Sequence, residues 1–135
     1  MSIMEWSSQL DIGVDEMNHQ HQVLLDLMND LHNKWERKES RVALGDALTK
    51  LKLATVEHFR EEEEFQAKIG WSKLDTHKMI HKRLLDKFGS LEDEFNKTGE
   101  LGEPFFHFLR FWLSSHIQGI DKEYAAFSNG VKASA

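Results

Sequence analysis

The stretch from Leu44 to Ile69 most constrains the fold, because its apolar residues recur at alternating steps of four and three. That spacing predicts a helix with one face packed in a bundle. Two positions of the apolar face are polar, namely His58 and Glu62. Residues four apart lie on one face of an α-helix, so both side chains should point between the helices. A carboxylate buried there is costly without a partner, so Glu62 requires a proton, a cation or a metal beside it.

Three further stretches show the same helical periodicity, separated by short polar or glycine-containing breaks. Ser40 is suited to cap the start of the helix just described, and Gly70 to end it, because glycine readily adopts the left-handed backbone of a helix C-terminus. The predicted helices run from Asn18, as an N-cap, to about Arg37, from about Arg41 to Ile69, from Ser72 to the break at residues 98–102, and from a first turn containing Pro104 to about Phe127.

These helices predict the fold class and the domain organisation. Four helices with short connections and one apolar stripe each favour an all-α, antiparallel up-down-up-down four-helix bundle. A chain of 135 residues suits one hydrophobic core, so residues 1–135 are interpreted as a single domain. Residues 1–17 show no helical period and are predicted to form an extended N-terminal arm laid on the bundle. Residues 128–135 are expected to be a loose tail or the start of a linker.

Composition argues against several classes of function. The formal net charge of −6 disfavours nucleic acid and anionic membranes as partners, since both require clustered Lys and Arg. The chain has no cysteine, which excludes thiolate metal sites and is compatible with a reducing compartment. No signal-like N-terminus and no apolar run long enough to span a bilayer is present. We therefore expect a cytoplasmic protein without a membrane partner.

Histidines occupy the apolar stripes of all four predicted helices, and the second and fourth helices each add a carboxylate. A lone histidine on an apolar face is more often a hydrogen-bonded core residue than a ligand. Several imidazoles and carboxylates that converge in one interior are, in contrast, what a divalent transition metal binds. The predicted metal ligands are His21, His58, Glu62, His77, His81, His116 and Asp121.

The spacing of the last two candidates breaks the helical rhythm. Asp121 follows His116 by five residues, which on a regular α-helix places the two side chains about 140° apart. A single π-type turn takes up one extra residue and restores a shared face, and such turns are frequent at functional sites. We therefore predict a π-type turn between His116 and Asp121, eased by Gly119.

The other conspicuous polar residues are interpreted without a metal. The remaining glutamates of the run at residues 61–64 are expected to form a solvated face, although Glu61, three residues from His58, is a geometric rival as a ligand. His32 lies on the face of the first helix that carries His21 but is expected to be structural, because the sequence pattern pairs no carboxylate with it. His19 and His107 fall off the stripes and should be exposed.

The candidate residues and their neighbours resemble the hemerythrin family, and more closely its single-domain bacterial branch. The resemblance spans nearly the whole chain, and the ordered combination of motifs is far more specific than any one of them. The matching motifs are Ile12-Gly13-Val14, Gln20-His21, Leu24 with Asn29 and Leu31-His32, His58-Phe59 with Glu61-Glu62, His77 and His81, and His116-Ile117 with Asp121.

This resemblance implies a non-haem di-iron centre with an oxo or hydroxo bridge. By matching motif positions, three histidines would bind one iron, two the other, and the two carboxylates would bridge. The implied sets are His77, His81 and His116 for one iron, His21 and His58 for the second, and Glu62 with Asp121 for both. One coordination position would stay open beside a dry pocket that resembles the family's, formed by Leu24, Phe59, Trp112, Leu113 and Ile117; ordinary bundle core is an equally valid interpretation of these five residues. The chain departs from the family at Asn18, where Asp is common.

The resemblance implies reversible O2 binding, as in an oxygen carrier, store or delivery protein, and not an enzyme. O2 is the implied partner, with small anions as partners of the diferric site. An alternative of another class is an O2- or redox-sensing domain that acts on an output domain or partner protein. A third interpretation is a helical interaction module whose histidines bind zinc or nothing.

Overall fold

Four helical rods form the protein in the computed structural model, which describes residues 4–134 and, beyond residue 130, the backbone alone. The described part of the chain contains no strand, and the predicted all-α four-helix bundle is confirmed. The fourth rod is continuous but has three segments, because a π-helical turn separates α4 from α5. The elements are α1 (Asp15–Glu36), α2 (Arg41–Ile69), α3 (Leu74–Thr98), α4 (Glu103–His116), the π turn (Ile117–Asp121) and α5 (Lys122–Ser134).

Local capping chemistry defines the ends of α2. The Ser40 hydroxyl accepts a hydrogen bond from the backbone N–H of Ala43 at 3.1 Å, and Gly70 ends the helix at φ 73°. Gly99 ends α3 in the same left-handed conformation at φ 74°. Glycine tolerates positive φ without the clash that a Cβ would cause. Both predicted ends of α2 are therefore confirmed.

The predicted start of α1 is wrong. The N-cap is Val14, and Asn18 lies one turn inside the helix. The Asn18 side chain instead holds the arm, since its Oδ1 accepts from the Ile12 N–H at 3.0 Å and its Nδ2 donates to Asp11 Oδ1 at 2.7 Å. A tertiary contact with the arm thus uses the amide that the sequence pattern assigned to capping.

The arm is partly helical, which differs from the predicted extended form. A 3₁₀ turn spans Ser8–Leu10 and contacts the π turn of the fourth rod. Leu10, Ile12 and Val14 are buried, so apolar side chains anchor the arm as expected. Residues 1–3 lie outside the described part of the chain.

Two other predicted boundaries are wrong. α3 begins at Leu74 instead of Ser72, because a turn in which the Leu74 N–H donates to the Trp71 carbonyl at 3.3 Å precedes it. The fourth rod continues to Ser134 instead of ending near Phe127. Ser128 is buried, so the inner face of the rod extends past the expected end. Residues 128–134 are helical, not a loose tail, and Ala135 lies outside the described residues.

The apolar core runs the length of the bundle and surrounds a group of buried histidines and carboxylates. Core residues such as Met28, Leu51 and Leu109 are completely inaccessible to solvent. Burial of this kind stabilises a fold by roughly 25 cal/mol per Å² of apolar surface removed from water. Within the described part of the chain, no helix combines the length and apolarity needed to cross a lipid bilayer.

Candidate metal centre

All seven candidate ligands lie in one cluster in the bundle interior. Each is at most 4% exposed, and both carboxylates are at 0%. The cluster comprises two overlapping groups whose ligand atoms lie within 4.8 Å of one another. Glu62 belongs to both groups. The first group contains Glu62, His77, His81 and His116, and the second contains His21, His58, Glu62 and Asp121.

The imidazoles point into the cluster with the same ring atom, Nε2. His77 Nε2 lies 2.9 Å from His116 Nε2, which in turn lies 3.2 Å from His81 Nε2. On the opposite side, His21 Nε2 lies 3.2 Å from Asp121 Oδ2, and His58 Nε2 lies 3.4 Å from Glu62 Oε2. Three imidazoles therefore form one half of the cluster and two the other.

Glu62 divides its two oxygens between these halves. Oε1 lies 2.9 Å from His81 Nε2 and 3.5 Å from His77 Nε2. Oε2 lies 3.4 Å from His58 Nε2 and 3.6 Å from His21 Nε2. The carboxylate thus lies between two sets of nitrogen atoms and can ligate on both sides.

Asp121 divides its oxygens in the same way. Oδ1 faces His116 at 3.1 Å and His77 at 3.2 Å, while Oδ2 faces His21 at 3.2 Å. The π turn makes this possible, since it spans Ile117–Asp121 and returns Asp121 to the face that carries His116. The predicted π-type turn is confirmed.

These atoms fit a pair of cations. Two nitrogen ligands at right angles, each about 2.1 Å from a cation, are about 3.0 Å apart, close to the nitrogen separations in the three-imidazole half. Several buried polar atoms lack a hydrogen-bond partner among the described residues, which is costly unless a cation is bound. They are His21 Nδ1 and Nε2, Glu62 Oε1, and Asp121 Oδ1 and Oδ2.

A second layer of hydrogen bonds orients the imidazoles. His58 Nδ1 donates to Gln20 Oε1 at 2.6 Å, and Gln20 Nε2 donates to Glu61 Oε2 at 2.5 Å. His81 Nδ1 donates to Glu63 Oε2 at 2.9 Å. A proton held on Nδ1 leaves the Nε2 lone pair free for a metal.

The prediction that the neighbouring glutamates form a solvated face is therefore wrong for Glu61 and Glu63. It holds for Glu64, which is exposed and pairs with Arg60 at 2.6 Å. The apolar stripe alone could not separate these glutamates, because their contacts depend on how α1 and α3 are rotated against α2.

Gln66 and Tyr124 were not recognised in the sequence as parts of the site. Gln66 places its amide nitrogen 2.5 Å from His77 Nδ1, and its amide oxygen has no partner among the described residues. Rotating the amide group by about 180° would exchange its two atoms, so that the oxygen accepts from His77 Nδ1–H. Binding of a metal through His77 Nε2 would require this arrangement. The Tyr124 hydroxyl donates to Glu62 Oε2 at 2.8 Å. The available signal for Gln66 was its position four residues after Glu62.

The residues expected to form a dry pocket are all buried beside the cluster. Phe59 stacks on the His81 ring with centroids 3.8 Å apart and planes 4° from parallel. Trp112 packs edge-on against both Phe59 and His116. Leu24, Leu113 and Ile117 are each 1% exposed, so all five pocket candidates are apolar side chains out of contact with solvent.

The other histidines lie apart from the cluster. His19 and His107 are exposed, as predicted. His32 packs against Trp35 and Phe106 and is structural, but the expectation that it has no carboxylate partner is wrong. Its Nδ1 lies 2.9 Å from Glu36 Oε1, one helical turn away.

Charge within the cluster shifts several pKa values. Burial alone would lower the pKa of His21, but its close contacts with the carboxylates of Asp121 at 3.2 Å and Glu62 at 3.6 Å outweigh burial and raise this pKa to about 9. Burial opposes ionisation of Glu62, yet the neighbouring imidazoles hold its pKa well below the usual range. Burial and the Glu62 charge together raise the pKa of Tyr124, so its hydroxyl stays protonated and donates.

The metal-free protein should lose stability as the pH rises above neutrality. The raised pKa of His21 contributes stability that is fully present below its unfolded value of 6.5 and is lost as the pH passes about 9. We expect a loss of roughly 2 to 3 kcal/mol between pH 6 and pH 10. Urea unfolding of metal-free protein at pH 6, 8 and 10 measures it.

The variant His21→Leu removes this titrating group and should weaken the dependence. Burial lowers the pKa of His116, but the Asp121 charge outweighs burial and raises this pKa, so His116 should account for the remaining dependence. His19→Gln, which changes an exposed histidine, should leave it unchanged. Equal unfolding free energies for wild-type metal-free protein across this pH range would contradict the assigned charge state of the cluster.

Fold and cluster together define a class of protein, a four-helix bundle with a buried histidine and carboxylate site suited to cations. The family model described as the hemerythrin HHE cation binding domain matches residues 12–127. The chain therefore belongs to the hemerythrin family, and the resemblance inferred from the motifs is confirmed.

Known relatives cover most of the chain. The bacteriohemerythrin of Methylococcus capsulatus is 29% identical over 126 residues, covering 92% of this chain and 95% of the relative. A hemerythrin-like protein of Naegleria gruberi is 33% identical over 124 residues, covering 91% and 92%. The crystal structure of a wild-type hemerythrin aligns with a TM-score of 0.87 at 28% identity, covering 94% of this chain and 98% of that one.

Proposed function

We propose that the protein binds O2 reversibly at a di-iron centre and acts as an oxygen carrier, store or delivery protein, not as an enzyme. The division of each carboxylate between a three-imidazole half and a two-imidazole half carries this proposal, because it provides ligands for two adjacent cations. The relatives named bacteriohemerythrin support the same assignment.

The proposed ligand roles follow the two halves of the cluster. One iron is assigned to three histidines, the second to two, and both to the carboxylates. With one imidazole fewer, the residues of the second group would leave more room for a small ligand on the ion that they would hold. The assignment is His77, His81 and His116 for the first iron, His21 and His58 for the second, and Glu62 with Asp121 as bridges.

When bound, the iron pair supplies the electrons and the coordination position for reversible O2 binding. The protein's own residues have three tasks. The imidazoles bind through Nε2 while Gln20 and Glu63 hold the Nδ1 protons. Tyr124 donates a fixed hydrogen bond to one bridging carboxylate. Leu24, Phe59, Trp112, Leu113 and Ile117 exclude water and anions that would compete for the metal.

Metal analysis and an optical spectrum test the proposal. Protein reduced without oxygen should gain a visible absorption band on exposure to O2 and lose it when O2 is removed. About two irons per chain are expected, in line with the two ligand groups. Oxidation without a reversible band would contradict the carrier function and favour a redox or sensing role.

The ligand assignment predicts that His77→Ala or His81→Ala lowers the iron content. Each change removes one Nε2 from the three-imidazole half, and loss of a direct ligand should weaken binding by more than the roughly 10- to 100-fold typical of outer-layer partners. His107→Ala, at an exposed histidine, is the matched control and should retain both irons. Two irons in either ligand variant would refute the assignment.

A further inference from the structure

The partners that hold the Nδ1 protons differ in charge. His58 donates to the neutral amide of Gln20 at 2.6 Å, and His77 lies beside the neutral amide of Gln66 at 2.5 Å. His81 donates directly to a carboxylate, Glu63, at 2.9 Å. Hydrogen bonds to a charged acceptor are stronger than those to a neutral one. The imidazoles of the cluster are therefore not electronically equivalent.

Glu63 lies at the edge of the cluster, partly open to solvent. Its side chain is 24% exposed, whereas His81 is 2% exposed, so the carboxylate reaches solvent while its acceptor oxygen faces the buried ring. Glu61 is a weaker candidate for the same role, because it reaches His58 only through the intervening amide of Gln20. Among the described contacts, the carboxylate that accepts directly from an Nδ1–H therefore belongs to the three-imidazole half.

The His81 ring is restrained on two sides. Phe59 lies parallel to its face at 3.8 Å, and Glu63 holds its outer edge at 2.9 Å. A ring fixed in this way keeps Nε2 directed at Glu62 Oε1, 2.9 Å away. A carboxylate partner on Nδ1–H also raises the basicity of the imidazole, which strengthens donation from Nε2.

We propose that Glu63 is a positioning residue that acts through His81 to make the three-imidazole half of the centre the more electron-rich and more tightly binding half. The inference rests on the proposed di-iron function and deepens it, because it assigns the difference between the two metal positions to one side chain. A more strongly donating ligand favours the oxidised ion, so Glu63 lowers the reduction potential of this half.

The variant Glu63→Gln tests the inference. Gln matches Glu in size, favours helix formation and can still accept from Nδ1–H, so the variant removes the charge while preserving the contact. Glu64→Gln is the matched control, since it removes the same charge one residue away at an exposed position paired with Arg60.

Two readouts are needed. Metal-free proteins are titrated with Co²⁺ against a competing chelator, and iron-loaded proteins are titrated electrochemically. Glu63→Gln should weaken one of the two Co²⁺ sites about 10- to 100-fold and leave the other unchanged, and its reduction potential should rise. Glu64→Gln should match wild type in both measurements.

Equal Co²⁺ affinities and potentials in Glu63→Gln and Glu64→Gln would overturn the inference, as would equal weakening of both Co²⁺ sites by Glu63→Gln. These outcomes can be distinguished from failure of the proposed function. In that case the wild-type protein itself would bind no iron pair or show no reversible reaction with O2. The Co²⁺ titration reports on Glu63 in either case.

Discussion

Replacing Glu62 with Gln is expected to remove both metal ions from the protein. Glu62 Oε1 faces the three-imidazole half and Oε2 the two-imidazole half, so this one carboxylate belongs to both ligand groups. Gln has the same shape, but only one of its two end atoms can act as a ligand, and it carries no charge. The affinity of both positions should fall by more than the roughly 100-fold loss known for outer-layer partners.

Iron analysis and a Co²⁺ titration of the Glu62→Gln variant measure this loss. Glu64→Gln, two residues along the same helix and exposed, removes the same charge and should bind both ions normally. Retention of two ions at wild-type affinity in Glu62→Gln would show that the carboxylate does not bridge.

Deletion of Gly119 is expected to leave both metal positions intact, although it removes one residue from the middle of the site. The π turn accommodates one more residue than an α-helical turn, so deletion should convert it to a regular helix in which the shortened spacing keeps Asp121 facing His116. Gly119 lies in open space, since an added Cβ would meet no atom within 4 Å. No packing contact is therefore lost.

Deletion of Ser115 is the contrasting experiment. It removes a residue from regular α-helix immediately before His116, which rotates His116 and the following Asp121 together by about 100° relative to the preceding helix. Because Asp121 faces both halves, we expect metal binding to weaken at both positions, while deletion of Gly119 preserves two ions. Metal analysis and circular dichroism of both variants provide the comparison. Loss of metal from the Gly119 deletion alone would contradict the register argument.

The sequence predicted the fold and the side chains that converge in the cluster because both follow from local spacing. A polar residue on an apolar stripe, as at His58, is visible without knowledge of any neighbour. The five-residue step to Asp121 indicated the π turn for the same reason. The ends of α2 were also predictable, because Ser40 and Gly70 act within their own turn.

What the sequence did not reveal depends on contacts between elements. Asn18 has the chemistry of an N-cap but binds the arm instead. Glu63 was predicted to belong to a solvated face, but in the folded chain it accepts a hydrogen bond from His81 of α3. Tyr124 reaches Glu62 across 62 residues of sequence. Such pairings depend on the rotation of one helix against another, which a single sequence leaves open.

The described outer hydrogen bonds share one helix, α2. These bonds join α1, α3 and α5 to this segment, through the contacts Gln20–Glu61, His81–Glu63, His77–Gln66 and Tyr124–Glu62. A chimera that exchanges α2 alone with a relative would therefore exchange, in one step, most of the groups that hydrogen-bond to the candidate ligands. Exchange of α3 would replace His77 and His81 but retain their α2 partners, Gln66 and Glu63.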